Sequence, residues 1–149
     1  MKISHPKPNH VERVVHNVRA DIAEGRHILA VDQANAFNSP YRFRIAIALY
    51  AVPVFRYFWR VFFLEYGSAS DLLFFDEGRL FERIPSQRGT RQGSSLGGFY
   101  FCVVLQPVLE VLAAEFPDIN FYAYMDDVTM TGFNYEELAR AFFLSLIHI

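Results

Sequence analysis

Apolar positions recur along this chain with two periods, and the changes from one to the other outline its elements. From Val11 to Ile22 the spacing is helical: Val11, Val14, Val15, Val18 and Ile22 fall on one stripe. Asn9 stands as the N-cap with Glu12 three residues on, and Gly25 stops the helix. HILAVD, residues 27–32, is a short apolar run ending on an acid and predicts a buried strand. NSPYRF restarts a helix, with Ser39 as its cap and Pro40 in the first position; a second helix starts at Pro53 and runs to about Tyr66. Two strand-like runs flank Asp76-Glu77-Gly78 and predict a hairpin. Residues 85–95, PSQRGTRQGSS, read as a loop. Residues 96–116 are mostly helical, with Pro107 expected to kink or break them. A second hairpin turns around Met125-Asp126-Asp127, and an amphipathic helix begins near Asn134.

Hairpins make antiparallel pairs, and helices grouped between them usually cover a sheet face. The fold class expected is therefore α+β, an antiparallel sheet packed on helices in two layers. The order of elements leaves Val31 and Asp32 free to lie beside the 121–132 hairpin.

Composition narrows the class. The chain has 149 residues, 52% of them hydrophobic and 17% aromatic, which is too apolar for a disordered segment and enough for one domain's core. A formal charge of −2 gives no case for nucleic acid by itself, but Arg79 to Arg91 holds four arginines against Glu82, locally +3. Cys102 is the only cysteine, which excludes an internal disulfide and a cysteine-rich zinc site and suggests a reducing, intracellular location. The N-terminus lacks the apolar core of a secretory signal. Ile45 to Leu64 is long enough to span a bilayer, but Pro53 splits it and Arg56 and Arg60 would sit at costly mid-depth. Two helices joined at Pro53 are expected instead, with no membrane.

The chemistry centres on three acids. Asp126 and Asp127 sit side by side in a segment otherwise built from β-formers, and Asp32 ends the first strand. If the two segments share a sheet, Asp32 and Asp126 converge. Clustered carboxylates cannot all ionise cheaply, and a hard divalent cation removes that difficulty. Taken singly, each piece has an ordinary reading: Asp126-Asp127 a solvated turn, Asp32 a strand-end residue, the 88–98 segment a flexible loop, Phe37 core.

AVDQANAFNS, RGTRQGSSLGGFYFCVVLQPVLE and YAYMDDVTM, in that order, resemble the three central palm motifs of reverse transcriptases, and the third matches the Tyr-x-Asp-Asp signature. The resemblance covers roughly Arg26 to Gly132 and looks most like retrotransposon enzymes. It implies an RNA-directed DNA polymerase palm that transfers deoxynucleotides onto a primer 3′-hydroxyl with two Mg²⁺ ions, or Mn²⁺. Asp32 and Asp126 would be metal-ligating carboxylates, Asp127 the supporting acid, and Gln33 would offer its backbone carbonyl. Tyr124 and Met125 would wall the primer end. Gln92 and Gly93 would line the nucleotide and template side, and Arg91 would contact phosphate. Phe37 would pack under the sugar and exclude a 2′-hydroxyl, which separates this reading from an RNA-dependent RNA polymerase. The partners implied are an RNA template, a DNA or RNA primer and dNTPs, at a cytoplasmic or nuclear site. Residues 1–149 read as a single palm domain, a fragment lacking most of the fingers and the thumb of a longer polyprotein. An inactive palm remnant is the further alternative.

Overall fold

The computed structural model describes residues 10–33, 35–91 and 93–148. The elements follow the expected order: α1 (His10–Ala23), β1 (His27–Val31), α2 (Arg42–Ala51), α3 (Arg56–Tyr66), β2 (Ser70–Asp76), β3 (Arg79–Ser86), α4 (Gly97–Glu115), β4 (Asn120–Tyr124), β5 (Asp127–Gly132) and α5 (Tyr135–His148). Short 3₁₀ turns at Ala36–Asn38 and Pro53–Phe55 precede α2 and α3. The chain divides into two compact units, 1–33 with 108–149, and 34–107.

The first unit holds a three-stranded antiparallel sheet in the order β1-β5-β4. Successive positions of β5 serve two helices. The Thr131 hydroxyl donates to Asp21 on α1, and Gly132 presents its open side to Leu138 of α5. Leu112, Phe116, Ile119, Val128, Met130, Leu138 and Ala141 are buried here. Asn134 opens α5 as expected, its Oδ1 accepting from the backbone N–H of Glu136 at 2.9 Å.

Two expectations in this unit are corrected. The apolar stripe of α1 is only partly used: Val11, Val15 and Ile22 stay exposed, Val14 and Val18 are half-buried, and the fully buried residue of this helix is Asp21. Arg26, Asn120, Tyr122 and Thr131 surround that carboxylate, so polar satisfaction fixes the helix. β1 is an edge strand with Ile28 exposed, not a buried one. The expected cap Asn9 lies outside the described residues.

In the second unit, Ile45, Leu49, Phe62, Tyr66, Tyr100 and Val103 form a core flanked by Phe55, Phe58 and Phe99. Its rings meet edge-on or tilted, Phe62 against Tyr100 at 5.0 Å and Phe58 against Phe99 at 4.9 Å, as ring quadrupoles favour. The Ile45–Leu64 stretch is bent, α2 meeting the Pro53–Tyr66 segment at 117°. Among the described residues, α4 is the one unbroken helix with the length and apolar composition of a span.

Ser39 does not cap α2. The helix begins at Arg42, after Pro40, and the Ser39 hydroxyl instead donates to the Asn35 carbonyl at 2.8 Å. Pro107 does not break α4, which runs through it. The β2–β3 hairpin turns at Glu77 and Gly78, both in the left-handed region, as a two-residue hairpin turn requires. Its pairing shifts between Phe74 and Phe75, leaving Phe81 as an extra residue.

Candidate active site

Strand register brings the acids together at one end of the first unit's sheet. The last pair of the β1–β5 ladder is Val31 with Val128, so Asp32 and Asp127 lie one step beyond and before it on adjacent strands. On the other side Asp127 pairs with Tyr124, leaving Met125 and Asp126 as the two turn residues of the β4–β5 hairpin. Met125 adopts φ 55°. Asp32 and Asp127 are exposed and Asp126 is half-buried. Tyr124 and Met125 are 45% and 43% exposed, at the sheet end where the acids emerge. Gln33 follows Asp32 directly, and its side-chain Oε1 is buried with no hydrogen-bond partner among the described residues.

Among the described residues no group of three or more His, Cys, Asp and Glu is gathered tightly enough to enclose a metal ion. The donors at this sheet end are all oxygens: two carboxylates on neighbouring strand ends and a third at the turn. Mg²⁺ is usually bound by one or two carboxylates plus substrate phosphates rather than by an all-protein cage. The residues present fit that mode of binding.

The remaining candidates lie in the second unit. Phe37 sits in the 3₁₀ turn after Asn35, whose φ is 56°, and its ring tilts onto buried Phe101 at 5.1 Å. The turn is held from behind. Thr90 donates its backbone N–H to the Phe37 carbonyl at 2.7 Å, and Gly89 donates to Pro40 at 2.8 Å. Gly89, at φ +63°, passes so near that a Cβ on it would stand 2.3 Å from the Phe37 oxygen.

Arg91 is engaged within its own unit. Its backbone N–H reaches the Tyr66 hydroxyl at 3.1 Å, and its guanidinium donates to Ser70 Oγ at 2.9 Å and lies over the Tyr66 ring. Gly93, at φ +85°, has nothing within 4 Å of a notional Cβ. With Glu65, Tyr66, Arg91, Ser94, Ser95 and Leu96 it lines an open hollow of about 470 Å³. Gln92 lies outside the described residues.

Sequence reasoning missed Arg42. Its guanidinium donates to the Gly89 and Ser86 carbonyls at 3.1 and 2.8 Å and to Ser86 Oγ at 3.0 Å, tying α2 to the segment that backs the Phe37 turn. Burial, then the charge of Arg91, lowers its pKa from the ordinary arginine value. Arg42 shares the first turn of α2 with Arg44, so the sequence does not single it out.

Comparison with known proteins adds three findings. The family model described as reverse transcriptase (RNA-dependent DNA polymerase) matches residues 2–144. The chain is 33% identical over 123 residues to the retrotransposable element SLACS 132 kDa protein of Trypanosoma brucei gambiense, covering 83% of this chain and 10% of that protein. It resembles the structure of apo telomerase from Candida tropicalis truncated from the C-terminal domain, with a TM-score of 0.53 and 16% identity over 94% of this chain and 31% of that one. The last likeness is one of fold.

Proposed function

The chain belongs to the reverse transcriptase family, and from that premise we propose that it is the palm region of a retrotransposon RNA-directed DNA polymerase, acting on a template-primer with dNTPs. The family implies a divalent metal, a nucleic-acid template and primer, and a larger multidomain protein. The observation that carries the reading is the β1–β5 register, which sets Asp32 and Asp127 on neighbouring strand ends beside the Asp126 turn.

In this reading Asp32 and Asp126 hold the metal, Asp127 supports them, and Gln33 adds its backbone carbonyl. Bound metal would make the primer 3′-hydroxyl more acidic and offset the charge of the triphosphate. Tyr124 and Met125 border the primer end. Phe37 takes the sugar, its ring braced by Phe101 and its backbone by Thr90 and Gly89. Such a ring disfavours a 2′-hydroxyl, and so favours deoxynucleotides over the ribonucleotides of an RNA-dependent RNA polymerase. Gly93 and Gln92 take the template side, and Arg91 holds that loop in place while offering charge. Fingers and thumb would come from other parts of a longer polyprotein.

The test is DNA synthesis on an RNA template by a polypeptide carrying residues 1–149 together with fingers and thumb. Mg²⁺-dependent extension with dNTPs supports the assignment. Extension that proceeds equally with rNTPs, or without a divalent ion, rejects it.

A further inference from the structure

The outer face of the α2–α3 corner carries a ladder of rings that the core does not use. Trp59 stacks on Phe63 with centroids 5.3 Å apart and planes 23° from parallel. Tyr50, in the last turn of α2, meets Trp59 edge-on at 6.3 Å. Arg56 extends the ladder, its guanidinium 4.9 Å from the centre of the Tyr50 ring and its Nε donating to the Tyr50 carbonyl at 2.9 Å. Helical rotation puts Arg56, Trp59, Arg60 and Phe63 within one arc of about 100°.

Rings at helical spacing are usually core, but these are not. The core of this unit is built from Ile45, Leu49, Phe62 and Tyr66, while Tyr50 and Phe63 remain 58% and 56% exposed on either side of the partly buried Trp59. Charge distinguishes the face further. Arg56 and Arg60 stand beside the rings, and the whole 42–66 stretch holds only one acid, Glu65, in a chain of net −2. Half-exposed rings in series, flanked by guanidiniums, are the arrangement on which single-stranded nucleic acid binds: bases stack on the rings and phosphates meet the cations.

We propose that the Tyr50–Trp59–Phe63 face is a stacking platform for the single-stranded RNA template, with Arg56 and Arg60 meeting its phosphates. The proposal rests on the polymerase reading for the identity of the strand, since the strand still to be copied is the unpaired one. It needs none of the three acids.

Trp59 is the only tryptophan in the chain and so reports directly on the platform. A single-stranded oligoribonucleotide should quench its emission saturably at low salt, with or without chelator and equally in Asp126→Asn. Phe63→Ala should weaken binding at least about fivefold, the low end of one lost stack. Arg60→Ala should reduce the slope of log affinity against log salt by about 0.7, one phosphate contact on a single strand. Both side chains lie outside the core, and circular dichroism will confirm that the variants fold. A DNA oligonucleotide of the same sequence should bind within a few-fold, because neither stacking nor phosphate contact reads the sugar.

Absence of quenching, equal affinity for duplex RNA, or indifference to both variants overturns the platform. So does a self-association that Phe63→Ala abolishes while RNA leaves Trp59 unquenched, which would make the face a protein interface. Quenching that persists when primer extension fails would sink the catalytic reading and leave this one standing.

Discussion

Gly89 and Phe37 approach so closely that no side chain fits between them: a Cβ on Gly89 would lie 2.3 Å from both the Phe37 carbonyl oxygen and the Asn38 Cα. The turn that presents Phe37 is therefore shaped by a glycine fifty-two positions later in the chain. Gly89→Ala is expected to destabilise the protein by at least ~3 kcal/mol, because left-handed backbone strain adds to a clash with main-chain atoms. Gly78→Ala has similar backbone strain but nothing within 4 Å, and should cost only about 1–2 kcal/mol. Urea unfolding of the two variants measures the difference, and equal losses would refute the packing argument.

Phe37→Ala should shift nucleotide choice. Removing the ring opens room for a 2′-hydroxyl, so the preference for dNTPs over rNTPs should fall at least about tenfold, ~1.4 kcal/mol of discrimination. Incorporation of each nucleotide class by the longer polymerase gives the ratio. An unchanged ratio would return Phe37 to a packing role against Phe101.

Asp32→Asn and Asp126→Asn should each abolish primer extension, by about a thousandfold or ~4 kcal/mol of transition-state stabilisation. Asp32 is exposed and Asp126 sits at a turn, so thermal unfolding should show the fold intact. Without metal, stability should hold or rise if repulsion between the acids is relieved. Near-normal polymerisation in either variant would remove its carboxylate from the site.

Asp21 predicts an acid limb of stability. Burial by itself would raise its carboxyl pKa, but hydrogen bonds from Thr131, Asn120 and Tyr122 and the charge of Arg26 outweigh burial and hold it below the ordinary value. A carboxyl lowered on folding stabilises above its unfolded pKa, and that contribution is lost as pH falls through the folded value. Asp21→Asn should therefore cost about 2 kcal/mol near neutrality, with the gap to wild type closing below about pH 4. Chemical denaturation across that range is the measurement, and a gap independent of pH would contradict the ionic account.

Tyr100 carries a fully buried hydroxyl without a hydrogen-bond partner among the described residues. Burial, then the nearby charges of Glu65 and Tyr66, pushes its pKa up to about 12. Tyr100→Phe removes the orphan group and keeps the ring, so it should be neutral or stabilising by up to ~1 kcal/mol. A spectrophotometric titration should also lose its latest-ionising phenol, and a marked loss of stability would reveal a partner for that hydroxyl.

The order of elements was legible because it rests on local signals. Asn134 caps α5, Glu77-Gly78 can adopt the left-handed backbone of a hairpin turn, and Pro53 separates two helices. The pairing of β1 with the second hairpin was allowed by chain order, and hydrogen bonding realises it. What stayed hidden depends on partners remote in sequence. Asp21 reads as the polar side of an amphipathic helix until Asn120, Tyr122 and Thr131 arrive from about a hundred residues away. Ser39 resembles a cap, yet its hydroxyl turns back to Asn35. Pro107 is a helix breaker by local rule, yet α4 continues through it, tertiary packing overriding propensity. Arg42, which ties the loop behind Phe37, carries no local mark of that task.

Met125 holds a left-handed backbone at φ 55°, between the strands that carry the acids. Glycine would adopt that conformation without the penalty of about 1–2 kcal/mol that a side chain brings. A turn optimised for folding alone would have dispensed with the thioether. Its presence sets thermodynamic economy against occupancy of the space beside the acids, so replacement by glycine should yield a hardier protein with an emptied flank.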